Sequence, residues 1–269
     1  MSARQDVIEQ VADTLLRAQQ SGSPCPPFAA ERELTVQEAY GVQRLNIQRR
    51  LEGAFAAQGE RATRVVGHKI GITSHAIQSW LNVDQPDFGH LLDAMAVPAG
   101  GKVSTAHLLQ PRVEGEVAFV LGRDLKGPGI TAADVLRATD VVLPAIEIID
   151  SRVADWKITY ADTVADNASS GLFVLGGKPT PLSAVDLELC GMALRKNGEV
   201  VSTGAGVACL DHPVNAVVWL ANTLGTLGES LAAGHVVLSG ALGPVCDVGA
   251  GDIIDLDIAG LGSARVCFT

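Results

Sequence analysis

From residue 64 onward the chain is a succession of short β-type runs closed by Gly, Pro or Asp, and that texture narrows the choice of fold most. "RVVGHKIGIT", "VEGEVAFVLG", "DVVLPAIEIID", "GLFVLGG", "LCGMALRKNG" and "HVVLSG" are rich in Val, Ile and Leu and bounded by turn residues, so they read as strands. Near the C-terminus Ile254, Leu256 and Ile258 alternate with Asp255 and Asp257. "GLG" then turns the chain into Ala264, Val266 and Phe268, which predicts a hairpin with one buried face. Two helices are expected among the strands. One follows Thr131, with Asp134 three residues on; the other starts near Asp211 and carries Val214, Val217, Val218 and Ala221. Many strands with few helices predict an α+β protein built on a curled mixed sheet, not regular βαβ winding.

The first 63 residues differ. Val7, Ile8, Val11, Leu15 and Leu16 recur at helical spacing, and Thr35 with Glu38 forms a capping-box pattern that opens a second helix. The stripe of that second helix runs through Val36, Tyr40, Ile47 and Leu51. Between the two helices "SGSPCPPF", with three prolines, is the expected linker. The organisation expected is an N-terminal helical region over 1–63 and a catalytic β-roll domain over 64–269.

Apolar residues make up 47% and charged residues 19%, enough for a large core. The net charge of −10, with no long basic cluster, argues against nucleic acid or an anionic membrane as partner. Cys25, Cys190, Cys209, Cys246 and Cys267 are scattered and odd in number, which fits reduced thiols and a cytoplasmic setting. The N-terminus has no apolar signal region, and no segment approaches the ~18 apolar residues of a membrane span.

The chemistry concentrates in "PRVEGEVAFVLGRD", where Glu114 and Glu116 sit one residue apart in an apolar strand. Side chains at i and i+2 share a face, roughly 7 Å apart at ~3.3 Å per residue. Gly115, between them, leaves the opposite face open. An isolated E-x-E is most often a solvated edge, but here Val117, Ala118, Phe119, Val120 and Leu121 continue the run without a polar face. Glu147 shows the same anomaly as the one charge in "VVLPAIEII". Buried like charges repel and lose hydration, so three glutamates in apolar strands are most economically explained by one shared cation. All-oxygen ligation selects a hard ion, Mg²⁺ or Mn²⁺, over zinc, and leaves about three coordination positions for water and substrate.

Lys69 lies in the Gly-rich apolar run "VVGHKIGIT", where desolvation can lower its pKa and fit it for acid–base work; the alternative is a lysine that merely pairs with an acid. "DTVADNASSG" reads as a loop of small polar residues able to donate hydrogen bonds to an anion, or as an ordinary turn. "GAGVAC" lacks the third glycine of a dinucleotide fingerprint, and no Walker loop, H-E-x-x-H or G-x-S-x-G is present. His68, His75, His90, His107, His212 and His235 show no ligand spacing, and most of them read as surface or satisfied core groups.

Taken together, "GHKIGIT", "QPDFGHLL", "QPRVEGEVAFVL", "LPAIEIIDSR", "DTVADNASSG", "CLDHPVNAVVWLAN" and "GDIIDLDIAGLGSARVCF" resemble the 2-keto-4-pentenoate hydratases of bacterial aromatic meta-cleavage pathways. These are members of the fumarylacetoacetate hydrolase superfamily, and the resemblance runs from about residue 35 to the C-terminus. It implies a mixed β-sheet roll with an N-terminal helical region, a divalent metal and a homo-oligomer acting on a small 2-oxo or 2-hydroxydienoate acid. Association with neighbouring pathway enzymes is a further possibility it raises. The metal ligands it implies are Glu114, Glu116 and Glu147, with Lys69 and Asp87 catalytic and Ser169 lining the substrate. His68 and Asp211 depart from the family's usual residues and receive no role. Three other readings stand beside hydration: 4-oxalocrotonate decarboxylation within the same family, metal-dependent C–C hydrolysis within the superfamily, and a non-catalytic subunit of a pathway enzyme. "VDQPDFGHL" and "CLDHPVNAVVWLAN" are more similar to the hydratase versions. "ITSHAIQSWLNVDQPDFGHLL", with no Lys or Arg and with Ile77, Trp80, Leu81 and Phe88, suits an apolar substrate tail.

Overall fold

Residues 3–53 and 64–269 are described by a computed structural model. The β-rich texture resolves into β1 (Val65–Gly71), β2 (Asp87–Leu92), β3 (Ala96–Val97), β4 (Lys102–Val103), β5 (Pro111–Leu121), β6 (Thr139–Asp150) and β7 (Ser170–Leu175). It continues through β8 (Gly191–Lys196), β9 (Glu199–Ala205), β10 (Val236–Ala241), β11 (Cys246–Asp247), β12 (Ile253–Ile258) and β13 (Gly262–Phe268). One mixed sheet runs β2-β1-β10-β5-β6-β7-β3 with β11 attached to β5; the second runs β4-β13-β12-β8-β9. The expected C-terminal hairpin is β12–β13, with Ile254, Leu256 and Ile258 buried.

β5 and β6 form the spine. They pair antiparallel from Pro111↔Asp150 to Leu121↔Thr139, and their alternation divides two apolar cores. Val113, Val117 and Phe119, with Val142, Ile146 and Ile148, join Leu194, Ile254, Leu256 and Ile258 of the second sheet in one core. Ala118, Leu143 and Ala145 join Leu91, Phe173, Leu238 and Ile47 in the other. The face behind Gly115 is filled, not open. A Cβ there would lie 2.6 Å from Leu256 Cδ1 and 3.2 Å from Met192 Sδ, so Gly115 is what lets the two sheets approach.

Among the described residues six α-helices flank the sheets: α1 (Ala3–Ser21), α2 (Val36–Leu51), α3 (His75–Leu81), α4 (Ala132–Ala138), α5 (Tyr160–Ala165) and α6 (Pro213–Thr226). The capping box expected at Thr35 is present, with the Glu38 amide donating to Thr35 Oγ1 and the Thr35 amide to Glu38 Oε2. Thr131 and Asp134 cap α4 in the same way. α3 and α5 add to the two body helices expected; each is about two turns, too short for its apolar period to register.

Two N-terminal expectations change. Val36 is exposed, and the buried side of α2 instead includes Gln43, whose amide donates to the carbonyls of Phe88 and Val164. "SGSPCPPF" is stitched to the body: the Cys25 amide donates to the Arg152 carbonyl, the Phe28 and Ala29 amides donate to Asp162 Oδ1, and Phe28 is buried. The boundary expected at 63/64 falls at the edge of residues 54–63, outside the described residues. All five cysteines are unpaired.

Candidate metal centre and active site

Register places the carboxylates. Glu114 of β5 stands directly opposite Glu147 of β6, and Glu116, two residues on, faces the same side. One carboxylate oxygen from each lies within 4.8 Å of the others. Glu116 and Glu147 are fully buried, while Glu114 is partly exposed and opens the cluster to solvent. Glu147 Oε2 and Glu116 Oε1 have no hydrogen-bond partner among the described residues, and Glu147 Oε1 faces only the Lys69 ammonium. Glu116 Oε2 accepts 2.7 Å from the Gly240 amide, where a bulge turns β10 at φ +107°. A Cβ on Gly240 would meet Thr73 Oγ1 at 2.3 Å, so that amide can reach Glu116 only from a glycine.

Burial, then the charge of Glu147, pushes Glu114 up to about 7. Burial followed by the charges of Glu147 and Glu114 drives Glu116 well above the carboxylate range. Glu147 is raised by burial despite Lys69. Orphaned buried carboxylate oxygens on a converging, oxygen-only donor set fit a hard divalent cation.

Lys69 projects from β1 onto the same side. Its Nζ lies 3.3 Å from Glu147 Oε1 and donates 3.0 Å to the Ala168 carbonyl. The lowered pKa expected for a desolvated lysine does not arise. Burial does oppose the charge, but Glu147, Asp87, Glu114 and Glu116 overcome it and hold Lys69 as an ammonium. Asp87 opens β2 opposite Gly71, whose missing side chain leaves its space to Asp87 Oδ1 and Lys69 Nζ. Asp87 is buried, and burial raises its pKa against the pull of Lys69. Its Oδ2 accepts from Thr163 Oγ1 at 3.2 Å, Oδ1 has no partner among the described residues, and Ser169 Oγ lies 3.4 Å from the same Thr163 hydroxyl. All six residues singled out in the sequence therefore belong to one connected cluster.

"DTVADNASSG" is not an open loop but the end of α5 followed by one tight turn, Asn167–Ser169. Asn167, Ala168 and Ser169 all have left-handed φ, between +51° and +57°. Such a run costs of order 1 kcal/mol or more per residue and persists only where surroundings enforce it. Here Arg152 grips Asp166 through its side chain and amide, while the Asn167 amide group pairs with both backbone groups of His90. The result aims the Ala168 carbonyl at Lys69.

The expected apolar tail pocket is not assembled as foreseen. Phe88 points to the other face of β2, where it stacks on Tyr40 with centroids 4.7 Å apart, and Ile77 and Trp80 are exposed on α3. A cavity of about 570 Å³ lies elsewhere, bordered by Arg50, Met95, Lys102, His107 and Arg152, and none of the cluster residues lines it.

The histidines hold the main surprise. His68 and His90 sit directly opposite one another on β1 and β2, with Glu229 beside them. His68 is buried with neither ring nitrogen hydrogen-bonded among the described residues, so it is not the satisfied core group expected. The residues are too far apart in sequence for spacing to have signalled the cluster; strand pairing joins His68 to His90, and the turn after α6 brings Glu229 to them.

The fumarylacetoacetate (FAA) hydrolase C-terminal family model matches residues 64–269. A 2-keto-4-pentenoate hydratase from Paraburkholderia xenovorans (strain LB400) is 49% identical over 261 residues, covering 97% of this chain and 94% of that protein. A 2-hydroxyhexa-2,4-dienoate hydratase from Comamonas testosteroni is 47% identical over 265 residues, covering 97% of each. Among solved structures, the 4-oxalocrotonate decarboxylase from Pseudomonas putida G7, complexed with magnesium and adipate, superposes with a TM-score of 0.90. It shares 37% identity and covers 100% of this chain and 99% of its own. With the three-glutamate cluster in place, these similarities establish that the chain belongs to the hydratase/decarboxylase family of the fumarylacetoacetate hydrolase superfamily.

Proposed function

We propose that this chain is a hydro-lyase that adds water to 2-hydroxypenta-2,4-dienoate, giving 4-hydroxy-2-oxopentanoate in the catabolism of aromatic ring-cleavage products. The observation that carries the reading is near-full-length similarity to hydratases, at 49% and 47% identity against 37% for the decarboxylase. Glu114, Glu116 and Glu147 would hold Mg²⁺ or Mn²⁺. Bound there, the ion supplies Lewis acidity to the carboxylate and 2-oxygen end of the substrate.

The protein's own groups manage the protons. One proton leaves the 2-hydroxyl as C5 gains one; another leaves the water that adds at C4 as C3 gains one. Lys69 Nζ, beside the cradle at 3.3 Å from Glu147, is the donor, and the buried Asp87 carboxylate is the acceptor. Thr163 fixes Asp87 through Oδ2, and Ser169, on the strained turn, offers its hydroxyl to the substrate. We further assign residues 1–63 as a helical region supporting the catalytic 64–269 domain, in a cytoplasmic homo-oligomer.

Decarboxylation is the competing reading, favoured by the adipate-bound structural neighbour. A second carboxylate would need a basic group or several donors. Arg112, on the cradle side of β5, pairs with the exposed Asp247 at 2.7 Å and stacks over Trp156, whereas the buried Arg152 is held by Asp166. The test supplies freshly generated 2-hydroxypenta-2,4-dienoate and, separately, 4-oxalocrotonate, with Mg²⁺ or Mn²⁺. Loss of the dienoate absorbance with formation of the hydroxy-oxo acid is expected; rapid CO₂ release without hydration would overturn the proposal.

A further inference from the structure

β1 carries chemistry on both faces. Lys69 points to the carboxylate cradle, and its neighbour His68 points away, toward the C-terminal end of α6. There His68 meets His90 across the strand pair, with ring centroids 4.8 Å apart. Glu229 arrives from the turn after α6: Gly228 at φ +78° reverses the chain, and the Glu229 amide bonds back to the Leu224 carbonyl at 2.9 Å. Glu229 Oε2 then lies 3.6 Å from His90 Nε2. One donor atom from each of the three residues lies within 4.8 Å of the others.

Hydrogen bonding does not account for this cluster. His68 is 3% exposed and His90 5%, yet both nitrogens of His68 and Nδ1 of His90 lack a partner among the described residues. An unpaired buried polar group costs about 1–3 kcal/mol, so three on adjacent rings call for a ligand that fills them. Burial, and the proximity of His90 and His235, hold His68 well below its usual pKa, so it is a neutral imidazole with lone pairs to give. Glu229 supplies the negative charge and, with a side chain 32% exposed, a route from solvent. Arg44 lies 4.0 Å from its other oxygen, Oε1, and leaves Oε2 to the imidazole side.

We propose that His68, His90 and Glu229 form a second cation site, selective for a borderline divalent ion of the Zn²⁺ class and separate from the carboxylate cradle. Two imidazoles and one carboxylate suit zinc, whereas the three glutamates suit magnesium or manganese, so donor chemistry sorts the two ions between the faces of one sheet. The bound ion joins β1 to β2, the strands that deliver Lys69 and Asp87, and ties both to the end of α6.

The experiment titrates Zn²⁺ into full-length protein in saturating Mg²⁺, in competition with a chromophoric chelator. One zinc per chain is expected, with affinity lowered by about 100-fold or more in Glu229→Gln and in His68→Phe. Glu229 is partly exposed, so its variant keeps the test open if the core change impairs folding. Co²⁺ provides a second readout: visible bands of a nitrogen-ligated ion should persist in Glu116→Gln and vanish in Glu229→Gln. Zinc binding that Glu116→Gln abolishes and Glu229→Gln leaves intact would place all bound metal in the cradle and overturn the proposal. So would the absence of zinc uptake in Mg²⁺, which would identify the space around His68 as a water site.

Discussion

Removing a ligand from the carboxylate cradle should stabilise the ion-free protein. Glu114→Gln is the cleanest perturbation, because Glu114 sits directly opposite Glu147 and retains some contact with solvent. Its pKa is pushed from 4.5 up to about 7, which at about 1.4 kcal/mol per pH unit makes ionisation in the folded state cost roughly 3 kcal/mol. Solvent screening at this partly exposed carboxylate reduces the recoverable part to about 2 kcal/mol. The sign follows from proton binding: with the folded pKa above the unfolded one, the folded chain holds the extra proton between pH 4.5 and about 7. Stability of the wild type is therefore fully present below that window and declines as pH rises through it. Thermal unfolding in EDTA at pH 8 should show Glu114→Gln melting higher by roughly 4–8 °C, at about 2–4 °C per kcal/mol. The gain should disappear at pH 4.5, and saturating Mg²⁺ should favour the wild type instead. A variant less stable than wild type in EDTA at pH 8, or a gain that persists unchanged at pH 4.5, would refute the electrostatic account.

Lys69→Ala should retain metal binding and lose about 10²–10⁴-fold in turnover, measured in excess Mg²⁺; loss of metal binding with surviving turnover would make Lys69 structural. Gly71→Ala puts a methyl 2.3 Å from Asp87 Oδ1 and 3.3 Å from Lys69 Nζ, both on buried, hydrogen-bonded side chains, so the pair must shift. Turnover should fall sharply and the melting temperature should fall with it. Asn167→Ala deletes both bonds to the His90 backbone and leaves a left-handed alanine, so unfolding should show a loss of about 2–4 kcal/mol together with reduced turnover. Chelator should inactivate the enzyme, and Mg²⁺ or Mn²⁺ should restore it.

Strand alternation made the cradle legible in the sequence. A carboxylate in an apolar strand is conspicuous at single-residue resolution, and Glu114, Glu116 and Glu147 each stood out for that reason. The C-terminal hairpin and the Thr35 and Thr131 caps were visible because their signals span a few consecutive residues. Asp87 and Ser169 rest mainly on family resemblance, since the small polar loop that holds Ser169 reads equally as an ordinary turn. Long-range pairing determined what spacing could not reveal: the raised pKa of Lys69, the left-handed run at Asn167–Ser169, and the meeting of His68 with His90 and Glu229. Phe88 cannot share a pocket with Asp87, because neighbouring residues on a strand take opposite faces and Asp87 takes the cradle side.

β5 also has a parity. Its odd residues Val113, Gly115 and Val117 build the seam between the sheets, and its even residues Glu114 and Glu116 build the cradle. A slip of one residue against β6 would exchange the two sets, driving carboxylates against Leu256 and Met192 and setting valines where the three carboxylates converge. Neither half of the molecule could then be completed. On the proposed function, divalent-metal uptake at the cradle would report strand registration, and the moles of metal bound per chain would track the fraction of a preparation with β5 and β6 paired as described.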